Sequence, residues 1–455
     1  MTRQAAIARA IGEFDSGAIY RTLGRRVAMP TVSLGREEPR TLAGYIEAEV
    51  VPALAALGFT SRLVFHENWP FLIAERIESA GLPTVLCYAH GDVVPGMEAG
   101  WQEGLSPWQM TERDGVWFGR GTADNKGQHT INFAALAAVL ETRGRLGFNA
   151  KLLFEMGEEV GSPGLHAICA EYADALAADV LIASDGLRLG LDRPTVFLGS
   201  RGNVTFDLSI TARQGGQHSG NWGGLLSDPA AQLAHAITTI VSPTGRINVE
   251  GWRPDGIPAS VRAALANCPV EQSVDGPRID PDWGEPGLTL SEKLYAWPSF
   301  AVIAAKAGDP AAPANAIVPG AWARCQLRTV VGINEDNVLP ALRQHLDAAG
   351  FGYVDITLAR AEVFRATRLD PDHPWVKRIA ASIGETTGMP TAVLPNLGGS
   401  LPNDAFSVLL GLPTIWVPHS YPGCSQHAPN EHVPVAIVRE GLAIMAGIYW
   451  DLGEA

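Results

Sequence analysis

The sequence lacks the apolar segments that mark membrane and secreted proteins. It contains no stretch of about 18 uninterrupted apolar residues, so no membrane span is predicted. Its first ten residues contain no apolar run as long as the core of a signal peptide. The five cysteines are scattered, without the spacing of a metal-binding or disulfide framework. We therefore expect a cytoplasmic protein with reduced thiols.

Positive charge is also scarce. The chain has 34 Lys and Arg against 48 Asp and Glu, a formal net charge of −14, which argues against nucleic-acid and anionic-membrane partners. Two sequence signatures are missing as well: the Gly-x-Ser-x-Gly elbow of acyl-serine hydrolases and the Gly-x-x-x-x-Gly-Lys-Ser/Thr phosphate loop. Their absence disfavours a serine hydrolase and a nucleotide-binding enzyme.

The first half of the chain alternates between helical and extended patterns. Apolar runs at 83–89, 150–156 and 179–184 predict strands that are buried on both faces. Helical periodicity is present at 36–57 and 128–142. This alternation predicts an α/β fold with a mostly parallel sheet flanked by helices.

The pattern changes after about residue 199. Residues 203–210 alternate apolar and polar side chains, as a half-exposed antiparallel strand does. We predict a discontinuous α/β domain over 1–199 and 368–455. An inserted α+β domain is predicted over 200–367. The order of elements in 243–313, rich in Pro, Gly and Asp, is left open.

Acidic and histidine side chains follow several of the predicted strands. In open α/β sheets the carboxyl ends of the strands form the edge where ligands bind. Each residue alone is more typical of a turn, a surface step or a buried histidine, but together they supply the ligands of a two-metal site and a base. The residues are His90, Asp92, Asp124, Glu158, Glu159, Asp185 and His427.

The chain resembles a known family in the segments that contain these residues. It is similar to the di-zinc aminoacylase–carnosinase peptidases, which include glutamate carboxypeptidases, acetylornithine deacetylases and succinyl-diaminopimelate desuccinylases. The resemblance covers about 80–220 and 315–435, and the dipeptidase branch is the most similar. It implies that 1–199 and 368–455 form the catalytic, metal-binding domain and that 200–367 form a ferredoxin-like lid and dimerisation domain. The segments that carry it, in order, are 88–95, 119–127, 158–162, 184–186, 218–220 and 427–431.

The resemblance implies a role for each metal ligand. His90 and Asp185 would bind the first metal, and Glu159 and His427 the second. Asp124 would bridge the two ions. Zinc is the expected metal, with manganese or cobalt as alternatives.

Catalytic roles are implied in the same way. Asp92 would orient His90, and Glu158 would be the general base. His218 would reach the active site of the partner subunit in a homodimer and stabilise the oxyanion. The family also implies a cis peptide bond between Asp124 and Asn125.

Substrate contacts are implied for four residues of the second half. Arg328 and Asn315 resemble lid residues of the family, although Thr329-Val330 stands where the family often has Val-Pro. Gly399 and Ser400 resemble a loop that holds a carboxylate. Roles for His419 and Cys424 are left open.

The function implied is hydrolysis of an amide or peptide bond next to a free carboxylate. A dipeptidase or exopeptidase is favoured. The alternatives are an N-acyl-amino-acid deacylase and a hydrolase of another C–N bond. A non-catalytic binding protein is disfavoured because every ligand and the base are present.

Overall fold

The computed structural model describes residues 1–270, 277–359 and 363–454. Contacts between Cα atoms divide the chain into two units. Unit 1 comprises Met1–Gly199, Leu369–Leu394 and Pro402–Ala455, and unit 2 comprises Ser200–Arg368 and Pro395–Leu401.

This division differs from the predicted one chiefly at Pro395–Leu401, which groups with unit 2. Hydrogen bonds explain the difference. The Asn396 side chain donates to the Thr367 carbonyl at 2.6 Å, and the Leu401 amide donates to Ser200 Oγ at 3.2 Å. Such long-range bonds leave no local signal in the sequence.

The helices and strands are numbered in chain order. The helices are α1 (Arg3–Asp15), α2 (Ala18–Val27), α3 (Ala43–Tyr45), α4 (Val51–Ala56), α5 (Lys126–Arg143), α6 (Leu165–Glu171), α7 (Ala173–Leu176), α8 (Ser219–Trp222), α9 (Pro229–Ile240), α10 (Ala259–Leu265), α11 (Leu290–Tyr295), α12 (Val338–Ala348), α13 (Pro374–Thr387) and α14 (Val435–Leu452). The strands are β1 (Thr60–His66), β2 (Trp69–Arg76), β3 (Thr84–His90), β4 (Thr111–Arg113), β5 (Val116–Phe118), β6 (Asn149–Glu155), β7 (Val180–Ala183), β8 (Thr195–Phe197), β9 (Gly202–Thr211), β10 (Gln217–His218), β11 (Ser299–Lys306), β12 (Ala316–Ile317), β13 (Gly320–Thr329), β14 (Asp355–Leu358), β15 (Ala392–Leu394), β16 (Thr414–Trp416) and β17 (His432–Pro434).

Unit 1 is built on an eight-stranded sheet in the order β1-β2-β6-β3-β7-β16-β8-β15. The neighbours β6, β3, β7 and β16 run parallel, as do β8 and β15, whereas β1 and β2 are antiparallel additions at one edge. Strands β6 and β7 are buried along their whole length, as their apolar sequences predict. The predicted α/β fold with a mostly parallel sheet is confirmed.

Helices α1, α5 and α14 pack together in the core of unit 1. Helix α5 ends at Gly144, whose φ of +82° suits a residue without a Cβ atom. Helix α14 has no clear signal in the sequence, although 12 of its 18 residues are buried. A helix that is apolar on nearly all sides shows no polar stripe, so its periodicity is weak.

The helical periodicity at 36–57 corresponds to a helical stretch over 39–56, although its hydrogen-bonding type changes along the way. A 3₁₀ turn, α3, a π-helical turn at Ile46–Val50 and α4 share this stretch. Pro52 has no N–H for an α-helical hydrogen bond, and the N–H of Val51 instead bonds the Ile46 carbonyl, five residues back. Pro52 changes the type of helix but not the apolar period, since Leu42, Ile46, Val50 and Leu54 are all buried.

Unit 2 contains a four-stranded antiparallel sheet in the order β11-β13-β9-β14. Alternate residues of β9 and β13 face a core that includes side chains of α9 and α12. Helix α9 begins where Asp228 caps the Ala230 amide and Pro229 occupies the first turn. Within 243–313, the structure assigns α10, α11 and the edge strand β11, while 271–276 lie outside the described residues.

In the part of the chain that the structure describes, no helix has both the length and the apolar character needed to cross a membrane.

Candidate metal centre

Three neighbouring strands of unit 1 deliver side chains to one edge of the sheet. His90 is the last residue of β3, and Asp185 follows β7 by two residues. Glu158 and Glu159 follow the end of β6 at Glu155. Because β6, β3 and β7 are parallel neighbours, their carboxyl ends lie side by side.

A first group of ligand atoms surrounds His90. Its Nε2 atom lies 3.1 Å from Asp124 Oδ1 and 3.5 Å from Asp185 Oδ2. His90 and Asp185 are buried, and Asp185 Oδ2 has no hydrogen-bond partner among the described residues. A buried carboxylate oxygen without a donor is expected where a cation completes the site.

A second group uses the other oxygen of Asp124. His427 Nε2 lies 3.2 Å from Asp124 Oδ2 and 2.9 Å from Glu159 Oε2. The Glu159 side chain is buried, whereas the His427 side chain is 56% exposed. Asp124 thus turns one oxygen to each group, which is the arrangement a bridging carboxylate requires.

Both groups fit divalent metal ions by their chemistry. In each, one imidazole nitrogen and two carboxylate oxygens lie within 4.8 Å of one another. Nitrogen and oxygen donors in this ratio suit zinc and its neighbours in the first transition row.

Asp92 organises the surroundings of both groups. His90 Nδ1 lies 3.2 Å from the Asp92 carbonyl oxygen and 3.3 Å from Asp92 Oδ1. Since both neighbours are acceptors, the proton of the neutral imidazole sits on Nδ1 and the Nε2 lone pair is free for a cation. The Asp92 carboxylate also accepts the backbone amides of Glu158 and Glu159 at 3.2 and 3.1 Å.

Those two amide bonds hold a turn that separates the adjacent glutamates. The strand ends before Gly157, which has φ −141° and ψ 12°, and a 3₁₀ turn spans Glu158–Val160. The Glu159 carboxylate lies beside His427, while Glu158 Oε2 lies 4.0 Å from His90 Nε2. The two side chains therefore occupy different positions around the site.

The electrostatics of the metal-free site are those of a cation site. Burial raises the pKa of Glu158 well above its usual range, and the charge of Asp185 adds to this effect against the opposing influence of His90. Burial and the charge of Asp124 raise the pKa of Glu159 to about 7. Hydrogen bonds to Asp124 and Glu159 raise the pKa of His427 to about 11. Asp124 lies between two imidazoles, which lower its pKa against the effect of burial. Protons bound to these side chains thus supply the positive charge that metal ions would otherwise supply to the clustered carboxylates.

Metal affinity is therefore expected to rise with pH. At neutral pH the proton on His427 and any proton shared by the carboxylates must leave before a cation binds. The apparent affinity should rise about tenfold per pH unit for each proton displaced. Calorimetric titration with Zn²⁺ at pH 7, in two buffers of different ionisation enthalpy, measures the number released. Identical heats in both buffers would show that no proton is displaced.

Glu431 contacts the Asp124 loop, and its place in the segment 427–431 did not by itself predict a role. Its carboxylate accepts hydrogen bonds from Arg120 at 2.6 Å and from the amides of Gly121, Ala123 and Asp124 at 3.0 to 3.1 Å. Glu431 and Arg120 are each 1% exposed. Because His427 lies four residues before Glu431, this carboxylate joins the two loops that carry the second ligand group.

Replacing Glu431 with Ala should destabilise the fold and weaken metal binding. Arg120 would remain buried without a counter-charge, a loss of about 3–5 kcal/mol in the free energy of unfolding. Denaturant unfolding and metal titration measure the two effects. The matched control is Asp372→Ala, which breaks an exposed pair with Lys377 and should leave both quantities unchanged. Equal effects of the two variants would contradict this role.

The peptide bond between Asp124 and Asn125 is cis, as predicted. A further contact of Asn125 has no signal in the sequence. The Asn125 side chain donates to the Ser184 carbonyl at 2.9 Å and so connects the Asp124 loop to the Asp185 loop.

The two residues left open are both buried. His419 Nε2 lies 3.2 Å from Ser184 Oγ, and burial lowers the pKa of His419 to about 3, so its ring is neutral. Burial raises the pKa of Cys424 to about 12, so this thiol is unreactive at neutral pH.

The remaining predicted site residues belong to unit 2. His218 pairs with Ala316 in the β10–β12 ladder, and the Ser219 amide donates to the Asn315 carbonyl at 3.0 Å. His218 and Asn315 therefore lie in one local structure. Arg328 donates to Ser400 Oγ at 2.7 Å, so the structure also brings these two together, with Gly399 beside Ser400.

Comparison with known proteins identifies relatives of this chain in sequence and in fold. Residues 86–451 match the sequence profile of Peptidase family M20/M25/M40. The chain is 27% identical to a cysteinylglycine-S-conjugate dipeptidase of Corynebacterium striatum over 332 residues, 70% of each chain. It is 27% identical to a Beta-Ala-His dipeptidase of Rattus norvegicus over 61% of this chain and 58% of that protein, less than two thirds of its length. The crystal structure of an M20 family metallo-carboxypeptidase from Sulfolobus solfataricus superposes with a TM-score of 0.80 at 23% identity, covering 96% of this chain and 99% of that one.

Proposed function

The chain belongs to peptidase family M20/M25/M40, and on that basis we propose that it is a metal-dependent dipeptidase or related exopeptidase. The prediction of this family, and of similarity to its dipeptidases, is confirmed. The bond cleaved would be an amide next to a free carboxylate.

One observation carries the proposal. Two groups of ligand atoms share Asp124, and Glu158 stands beside them without belonging to either group. In the proposed assignment, His90 and Asp185 hold one ion and Glu159 and His427 the other. This arrangement leaves Glu158 available for proton transfer.

When bound, two divalent ions supply polarisation of the scissile carbonyl and a water nucleophile of lowered pKa. Glu158 takes the proton from the attacking water and passes it to the leaving nitrogen. Its partly buried carboxyl suits both steps, because burial favours proton uptake and the cations favour release. Asp92 keeps His90 in the tautomer that binds metal. Zinc is the proposed ion, since the Irving–Williams order places it above manganese, and manganese and cobalt are the alternatives.

Substrate recognition is assigned to unit 2. Arg328 and Ser400 are already hydrogen-bonded to each other and would share the substrate carboxylate, with the backbone N–H of Gly399 as a further donor. Asn315 would contact the substrate near His218. Burial lowers the pKa of Arg328, yet the guanidinium remains charged at neutral pH.

We further propose a homodimer in which His218 acts in the partner's active site. The edge strand β11 supports this assembly, because Val302 and Ile303 are 41% and 52% exposed there. An open apolar edge is an available surface for pairing with a second copy. His218 is exposed in the single chain. A side chain that completes the active site of a partner subunit must be exposed in this way.

The second candidate is an N-acyl-amino-acid deacylase, since the same metal groups and carboxylate contacts suit an acyl amide. A screen of the metal-loaded protein against dipeptides and N-acyl amino acids separates the two. Faster hydrolysis of dipeptides supports the proposal, and selective hydrolysis of N-acyl amino acids or another C–N bond replaces it with the alternative.

We also propose a cytoplasmic location, which the five buried free thiols support.

A further inference from the structure

Arg201 is a buried cation of unit 2 that lies outside the predicted site residues. It directly precedes β9 and is 7% exposed. Its backbone amide donates to the Leu397 carbonyl at 3.1 Å, and its Nε donates to the Gly398 carbonyl at 2.9 Å. A terminal nitrogen donates to Ser299 Oγ at 3.2 Å. Arg201 thus fastens the segment Pro395–Leu401, called here the carboxylate loop, to the sheet of unit 2.

Arg328 holds the same loop at its other end. It donates to Ser400 Oγ, and in the sheet its backbone is paired with Ser299 on one side and Asn203 on the other. Ser299 is also the residue that Arg201 bonds through its side chain. The two guanidinium groups therefore bond the same loop, and Ser299 neighbours both arginines.

Among the described residues of unit 2, no acidic side chain pairs with either of these two charges. No carboxylate among these residues lies within 4.0 Å of the side-chain nitrogens of Arg201 or Arg328. The ion pairs found among the described residues of unit 2 are Arg246–Glu285, Arg262–Glu292, Arg324–Asp207, Arg343–Asp347 and Arg365–Asp336. Burial, and then the charge of Arg328, lower the pKa of Arg201 to about 10, so it is still a cation at neutral pH.

Arg201 is buried and Arg328 is half-buried, and two like charges held this way are costly unless an anion joins them. Arginine is suited to such a site because its planar donors match a carboxylate and its charge persists on burial. The fastening of both groups to the carboxylate loop fixes where that anion would bind.

We propose that Arg201 is a positioning and specificity residue that makes the carboxylate loop selective for an anionic group. It fixes the loop through its hydrogen bond to Gly398 and adds a second positive charge near Arg328. The ligand class is a molecule that ends in a free carboxylate, and the uncharged carboxamide of the same molecule is rejected. This inference rests on the proposed function where it equates that ligand with the carboxyl-terminal part of a substrate.

The test compares carboxylate ligands with their neutral amides on the metal-loaded protein. Glycine, L-alanine and L-leucine, each against its own carboxamide, are titrated calorimetrically into the wild type, Arg201→Gln and Arg201→Lys. Arg328→Gln sets the scale for losing a direct contact. The matched control is Arg324→Gln, which removes a β13 arginine that already has a partner in Asp207.

Arg201→Gln is expected to weaken binding of the amino acid about tenfold or more and binding of the amide less than about twofold. Arg201→Lys keeps the charge but loses the forked donors, so it should retain part of the preference for the carboxylate. Arg324→Gln should behave as the wild type does. The inference is overturned if Arg201→Gln weakens both ligands equally, since that is the result of a purely structural role. It is also overturned if the preference is unchanged, or if Arg201→Lys loses as much of it as Arg201→Gln.

The same experiment separates this inference from the proposed function. If the wild type hydrolyses no dipeptide but prefers carboxylates through Arg201, the inference stands and the proposed function fails. If dipeptides are hydrolysed and Arg201→Gln leaves KM and the carboxylate preference unchanged, the function stands and the inference fails.

Discussion

Glu158→Gln is expected to lower kcat by about 10²–10⁴-fold while both metal ions stay bound. Glutamine preserves the size of the side chain but cannot accept the proton of the attacking water. Glu158 belongs to neither group of ligand atoms, so the metal content should not change. Steady-state kinetics with a dipeptide and elemental analysis of the purified variant measure the two effects.

The adjacent residue provides a matched control. Glu159→Gln removes a ligand from the group that contains Asp124 and His427, so it should lower the metal content before any effect on proton transfer. Two residues that differ by one position would then fail for different reasons. If Glu158→Gln loses metal as Glu159→Gln does, or keeps the turnover of the wild type, the assigned division of roles is wrong.

Mixing dimers of His218→Ala with dimers of Glu158→Gln should restore activity that neither variant has alone. Losing one donor to the oxyanion typically costs about 10²–10³-fold in rate. If His218 acts in the partner, each mixed dimer has one site with both Glu158 and His218 and one site with neither. Equal mixing with free exchange should then recover roughly a quarter of the wild-type activity.

Subunit exchange must be verified independently, for example with tags of different mass. The control mixture pairs His218→Ala with wild-type dimers labelled in the same way, which gives the exchange rate under the same conditions. Verified exchange with no recovered activity would exclude action in the partner subunit.

The ligand groups could be predicted because they depend on strand ends and ordered motifs. His90 and Asp185 follow apolar runs that read as buried parallel strands, and such strands share one ligand-binding edge. The different positions of Glu158 and Glu159 could not be predicted from the residues. They depend on the turn at Gly157, which is held by Asp92 from 65 residues or more away along the chain.

The residues that support the ligands left little signal for the same reason. Glu431 bonds amides of the Asp124 loop more than 300 residues away, and Arg201 bonds a loop nearly 200 residues away. Neither contact has a sequence period. An unexplained charge within an otherwise assigned motif, as in Glu431, was the one available indication.

The elements of the fold follow a similar division. The strands β3, β6 and β7 and the helix α5 have strong local patterns and were predicted. Strand β11 lies in a region rich in proline and glycine, and almost all of its side chains are exposed, so it has no alternating pattern to detect. Its place in the sheet is fixed by pairing with β13 instead.

The most direct test of the central claim is dipeptide hydrolysis measured while the metal-free protein is titrated with Zn²⁺, beside Glu158→Gln under the same conditions. The account predicts that turnover of the wild type reaches its maximum at two equivalents per chain. It predicts that Glu158→Gln binds the same two equivalents and stays nearly inactive. Full turnover without added metal, or equal turnover by the two proteins, would contradict it.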